Sequence, residues 1–268
     1  MLQTAVFGVL VVGGCCLLSL LGFELVHRLV PAQSRRQHNE VAGFIYAALG
    51  VIYAVLLALV VITVWEEYSA ASLTVEQEAN ATAEVFLLGY ELPEPEGAHI
   101  QELAHSYAED VVNKEWPLMA SGKQPPLKQE AGTPAGWDLI DDVRATLHGF
   151  EPRTKAEEQL YAEGLDQVAN LGDARRSRLI ASEEGVPGIL WSVLIFGDIA
   201  AVSFTYLFGL ESTWAHRLMV VTLAAVIGLV LFTIGALGHP FAGGARIGPG
   251  FFELVLERMD TTNLSKLG

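Results

Sequence analysis

Asp198 stands in the middle of an apolar run, Val186 to Leu210, with few neighbours able to balance a carboxylate. An acid at the centre of a membrane helix costs about 2.5–3.5 kcal/mol, so it points to a pore, a proton path or a cation site. The alternative is a structural hydrogen bond across helices to Ser203 or Thr205. Two Glu-x-x-His pairs, Glu24/His27 and Glu102/His105, have the spacing with which bundle helices ligate paired metals. They fall in different parts of the chain, one at a membrane edge and one in a polar helix, so neither a metal nor any other cofactor is expected. Cys15 and Cys16 are adjacent, which suits neither a disulfide framework nor a ligand pair. The glycine-rich stretch after Phe241 lacks the Lys-Ser/Thr of a phosphate loop. No serine or cysteine sits in a nucleophile motif, and the chain does not read as an enzyme.

A second pattern is a stripe rather than a site. Tyr46, Gly50, Tyr53, Leu57, Val60, Val64 and Glu67 recur at three- to four-residue spacing. Such a face would line a pore, with hydroxyls from Tyr46 and Tyr53 and an apolar constriction at Leu57, Val60 and Val64 that gates by dewetting. The plainer alternative is a helix-packing seam. Small residues on the same segment, Gly43, Ala47, Gly50, Ala54 and Ala58, let helix backbones approach closely in lipid and favour contact with protein.

The elements that must position these residues are membrane helices. The chain has 268 residues, 51% of them apolar, and a mean hydropathy of +0.38. Four segments, Leu2 to Val26, Val41 to Trp65, Val186 to Leu210 and Trp214 to Leu237, are long enough to cross roughly 30 Å of hydrocarbon. A cleaved signal peptide is the rival for the first, where Val12-Gly13-Gly14-Cys15 resembles a lipidation site. No Lys or Arg precedes the apolar run, however, and the run continues past Cys15. Trp65 and Trp191 would share one interface and Trp214 the other.

Charge divides the chain in the same way. Between Glu66 and Gly185 there are 24 acids against 9 Lys plus Arg, a difference of −15, which equals the net charge of the whole chain. That surplus excludes nucleic acid as a partner, because phosphate binding needs Lys and Arg. Within this block the second span runs on as a helix to about Gly89. Further helices follow at Ile100 to Val112, ending at Trp116-Pro117, at Trp137 to Leu147, and from a capping box at Thr154-x-x-Glu157 towards Leu179. Pro117 to Gly136 reads as a surface loop, and Phe251 to Met259 as a short amphipathic helix at the membrane interface.

The expectation is therefore an all-α membrane protein, with four transmembrane helices in two hairpins and an acidic helical domain inserted between them. Residues 1–66 form the first hairpin, 67–185 the soluble domain, 186–239 the second hairpin, and 240–268 a C-terminal loop and short helix. Both termini and the acidic domain then share one side. Arg28, Arg35, Arg36 and Arg217 on one face balance Arg175, Arg176, Arg178, Arg246 and Arg258 on the other, so the positive-inside rule leaves the side open.

Several stretches resemble a known family. His38-Asn39-Glu40-Val41-Ala42-Gly43-Phe44-Ile45-Tyr46, the run Gly50 to Leu57, Val64-Trp65-Glu66, Glu115-Trp116-Pro117, Ala174-Arg175-Arg176 and Pro240-Phe241-Ala242-Gly243 are similar to the bacterial bestrophin-like membrane proteins. Bestrophins are pentameric ion channels with four membrane helices per subunit, the second lining the pore, and a cytosolic helical region between the hairpins. The resemblance implies a homo-oligomer, a pentamer, in a bacterial cell membrane, with inorganic ions and the lipid bilayer as partners and the acidic domain in the cytoplasm. The aromatic cluster of the bestrophin neck has no counterpart, so Leu57, Val60 and Val64 would serve instead. The competing expectation is a non-conducting sensor or scaffold whose helical domain binds a partner or ligand.

Overall fold

The computed structural model describes residues 2–30, 39–125, 136–183 and 185–266. The loop bearing Arg35, Arg36 and His38 and much of the expected surface loop, 126–135, lie outside the described residues. Among the described residues every regular element is helical. They are α1 (Leu2–Leu29), α2 (Asn39–Glu91), α3 (Glu96–Asp110), a π-helical turn (Val111–Glu115), α4 (Trp116–Ala120), α5 (Gly136–Gly149), α6 (Lys155–Glu183), α7 (Gly188–Thr205), α8 (Thr213–Leu237) and α9 (Gly250–Lys266). Among the described residues four helical runs are long and apolar enough to cross a membrane: α1, α2, the run ending with α7 at Thr205, and α8. The chain is an all-α, multi-pass membrane protein. It divides into two compact units.

The first unit comprises Met1–Glu67, Gly185–His239 and Gly243–Ala245. Here α1 and α8 pack along each other, and α7 packs on both. Phe7 meets Phe232 with ring centroids 5.9 Å apart, and Phe23 lies edge-on to His216 at 4.7 Å. Arg217 forks onto Glu24 with its Nε at 2.7 Å, so this pair of charges is mutually satisfied. The third span ends five residues earlier than expected, because Tyr206 and Leu207 form a turn after Thr205. Asn39 holds the chain beyond that turn: its Oδ1 accepts from the Gly209 N–H at 2.9 Å and its Nδ2 donates to the Gly209 carbonyl at 3.0 Å.

The second unit comprises Tyr68–Glu184, Pro240–Ala242 and Arg246–Gly268. Its core gathers Val75 and Val85 of α2, Ile100 and Tyr107 of α3, Leu147 of α5, Val168 and Leu171 of α6, and Phe252 and Met259 of α9. The capping box forms as its sequence requires: the Glu157 N–H donates to Thr154 Oγ1 at 3.2 Å, and Glu157 Oε2 accepts from the Arg153 and Thr154 N–H groups. Trp116-Pro117 does not stop the helix as expected. Five residues of π geometry widen the turn before it, and Pro117 falls in the first turn of α4, where its missing N–H is tolerated. The C-terminal helix also departs from expectation. It runs to Lys266, beyond the expected end at Met259, and its apolar residues Phe252 and Met259 are buried in the core of this unit.

Candidate functional site

The stripe expected to line a pore belongs to the half of α2 within the first unit. Tyr53, Val60 and Val64 are 8%, 7% and 3% exposed, in one cluster with Leu194 and Val202 of α7. The Tyr53 hydroxyl donates to the Leu194 carbonyl at 2.8 Å, and its ring lies against Gly197, where any larger residue would collide. Tyr46 stacks on Phe204 at 5.7 Å. Gly50 and Leu57 are half-buried and Glu67 is exposed. Burial of Tyr53, Val60 and Val64 thus matches the packing-seam alternative. The opposite side of α2 is open: Val51, Val55 and Ile62 are 65%, 55% and 53% exposed, and Ala58 between them is exposed too. At about 100° per residue these four fall within one narrow stripe.

Asp198, on α7, faces a crevice of about 230 Å³ at the junction of α1, α7 and α8. Cys15, Ser19, Gly22, Ser203 and Tyr206 share its walls. The hydrogen bond considered between Asp198 and Ser203 or Thr205 is not formed. Thr205 Oγ1 donates instead to the carbonyl of Val202 at 2.6 Å, within its own helix.

Neither Glu-x-x-His pair gathers ligands. Glu24 is engaged by Arg217, while His27 stacks on Phe23 with centroids 5.3 Å apart. His105 pairs through Nε2 with Asp260 of α9 at 2.9 Å, tying α9 to α3. Among the described residues no group of three or more His, Cys, Asp or Glu is placed to hold a metal ion.

A charge network that sequence reasoning missed lies inside the second unit. Arg175 and Arg178, one turn apart on α6, are both 0% exposed. Arg175 makes a two-point contact with Glu115, Nη1 at 3.0 Å and Nη2 at 2.5 Å. Arg178 makes another with Glu78 of α2, Nε at 2.5 Å and Nη2 at 3.0 Å, and reaches Glu115 at 2.6 Å. The Tyr107 hydroxyl donates to Glu78 Oε1. Trp116 covers Arg178, with the guanidinium carbon 5.6 Å from the ring centroid. Two acids and two guanidinium groups cancel, so burial is tolerable. Burial pushes the Glu115 carboxyl upwards, but the Arg178 and Arg175 charges prevail and hold it below the usual range. The Tyr107 phenol is pushed well up, first by burial and then by the Glu78 charge.

The sequence profile described as the Bestrophin-like domain matches residues 13–252. This chain belongs to the Bestrophin-like family. Two solved structures share the fold of the Bestrophin-like chain. One is a bacterial bestrophin homolog from Klebsiella pneumoniae carrying a point mutation, with TM-score 0.67, 13% identity, and coverage of 94% of this chain and 98% of that one. The other is a membrane protein, also a point mutant, with TM-score 0.66, 13% identity, and coverage of 92% and 97%. No curated protein matches the sequence. Two of the stretches that carry the family resemblance, Glu115-Trp116-Pro117 and Ala174-Arg175-Arg176, hold members of the buried network. A signal for it was present: Val168, Leu171, Arg175 and Arg178 follow one another at three- to four-residue spacing, which places both arginines on the apolar face of α6.

Proposed function

We propose that this Bestrophin-like chain is one subunit of a homo-oligomeric ion channel of the bacterial cell membrane, a pentamer, with α2 lining the pathway. α1 with the membrane half of α2, and α7 with α8, make two hairpins, and the acidic helical block between them faces the cytoplasm with both termini. One observation carries the reading: α2 is covered by its own chain on the Tyr53 side only, leaving the charge-free stripe Val51, Val55, Ala58 and Ile62 open on the other. An open apolar stripe on a membrane helix that also bears Ala47, Ala54 and Ala58 suits close approach to copies of itself around an axis. The four side chains then form an apolar constriction that conducts only when wetted. Glu66 follows Ile62 by one turn and brings carboxylates to one end of that stripe, which favours cations over anions.

The test is electrical and comparative. Purified protein in planar bilayers gives unitary currents, and Val55→Ser, Ala58→Ser or Ile62→Ser raises the conductance several-fold by making the constriction easier to wet. Val60→Ala, on the covered side, lowers stability and leaves the unitary conductance alone. Silence under varied ions and voltages, or equal sensitivity on both sides of α2, removes the proposal in favour of a non-conducting sensor or scaffold.

A further inference from the structure

The crevice at Asp198 is walled by residues of α1, α7 and α8, among groups that the proposed pathway does not use. Asp198 sits roughly 15 Å along α7 from Gly188 at ~1.5 Å per residue, well inside the hydrocarbon layer. Among the described residues no hydrogen-bond donor and no cation engages its carboxylate. Ser19 is 4% exposed, and its hydroxyl proton is committed to the Cys16 carbonyl at 2.8 Å, so the oxygen lone pairs are what it presents elsewhere. Tyr206 is 6% exposed, and its hydroxyl has no hydrogen-bond partner among the described residues. Gly22 makes room for that hydroxyl: a Cβ there would lie 2.9 Å from it.

We propose that Asp198, Ser19 and Tyr206 form a binding site for a partly hydrated monovalent cation at the junction of α1, α7 and α8. The chemistry narrows the ligand by sign, hardness and charge. Acceptor oxygens beside a carboxylate repel an anion. Oxygen donors select hard cations over the soft metals that thiolates prefer. A divalent ion calls for several carboxylates or substrate phosphates, and one acid lines the crevice. A single positive charge neutralises Asp198 exactly once, and about 230 Å³ holds the volume of roughly seven waters at ~30 Å³ each, enough for an ion that keeps part of its hydration shell. Asp198 follows Gly197, which carries the Tyr53 ring, so the ion would brace the same stretch of α7 that supports α2.

The experiment does not depend on conduction. The full-length protein in nanodiscs is melted at fixed pH and equal ionic strength in sodium, potassium or N-methylglucamine chloride. At an alkali-ion concentration about ten times Kd, sodium or potassium raises Tm by ~3 °C over N-methylglucamine. Asp198→Asn abolishes that difference, Tyr206→Phe and Ser19→Ala reduce it, and Ala58→Ser on the pathway face leaves it intact. Equal melting of the native protein in all three salts overturns the proposal and indicates a protonated carboxyl or a cation from another copy instead. A difference that persists in Asp198→Asn overturns it as well. Should Asp198→Asn not fold, an undiminished response in both Tyr206→Phe and Ser19→Ala does the same.

Discussion

Glu115 sits between two guanidinium groups with almost no access to water, so its worth to the fold is set by what its removal leaves behind. Glu115→Gln keeps the shape but strands the Arg175 charge in the core, and breaking a buried pair in this way costs about 3–5 kcal/mol. The expected result is a large fall in Tm. A fall within that of ordinary surface changes, about 0.5 kcal/mol, would mean that water reaches the network. Tyr107→Phe removes one donor from Glu78 and costs less, about 1–3 kcal/mol. The same network fixes a pH dependence. The folded Glu115 binds its proton less readily than the unfolded residue, whose ordinary value is near 4.3. Its stabilisation is therefore complete above that value and is lost as pH falls through the lower, folded one. Melting of native protein and Glu115→Gln across pH 3–7 should converge at the acid end; parallel curves would refute the assignment.

At the scale of elements, periodicity carried most of what could be read. Tertiary contacts decided the rest. The capping box, the length of α2 and the helix over 137–147 follow from local rules of spacing and capping, which act within one turn. Which side of α2 is covered does not: Val55 is the more apolar of the two yet stays exposed, and only the position of Leu194 and Gly197 on another helix buries Tyr53. α9 makes the same point. Its sequence offers several apolar residues to a partner surface, and Tyr107 and Trp116 in the neighbouring core decide that Phe252 is the one turned inward. Phe252, 0% exposed, should cost about 3–5 kcal/mol on truncation to Ala, while Leu254, 65% exposed, should cost under about 0.5. Thermal melts of the two variants separate these outcomes, and similar losses for both would mean that Phe252 does not anchor α9 in this core.

For the molecule as a whole, the consequence of the proposed assembly is electrostatic. Each subunit carries a net charge of −15, all of it in the block between Glu66 and Gly185. Five copies around one axis would gather that charge at one mouth of the pathway, where low-dielectric walls focus its field and raise the local cation concentration. Such a field reaches only as far as salt allows, about 10 Å at 0.1 M and about 3 Å at 1 M. A preference built from a diffuse acidic mouth must therefore weaken as salt rises, whereas one built from close ligands within the constriction would not. The stripe Val51, Val55, Ala58 and Ile62 contains no close ligand of either sign. Reversal potentials measured under a constant salt gradient should then favour cations near 0.1 M and move towards zero near 1 M. Glu66→Gln, which removes one carboxylate per subunit at the end of the stripe, should shift the low-salt value in the same direction. A preference independent of salt would place selectivity inside the constriction, and a preference for anions at low salt would contradict the placement of the acidic block at the mouth.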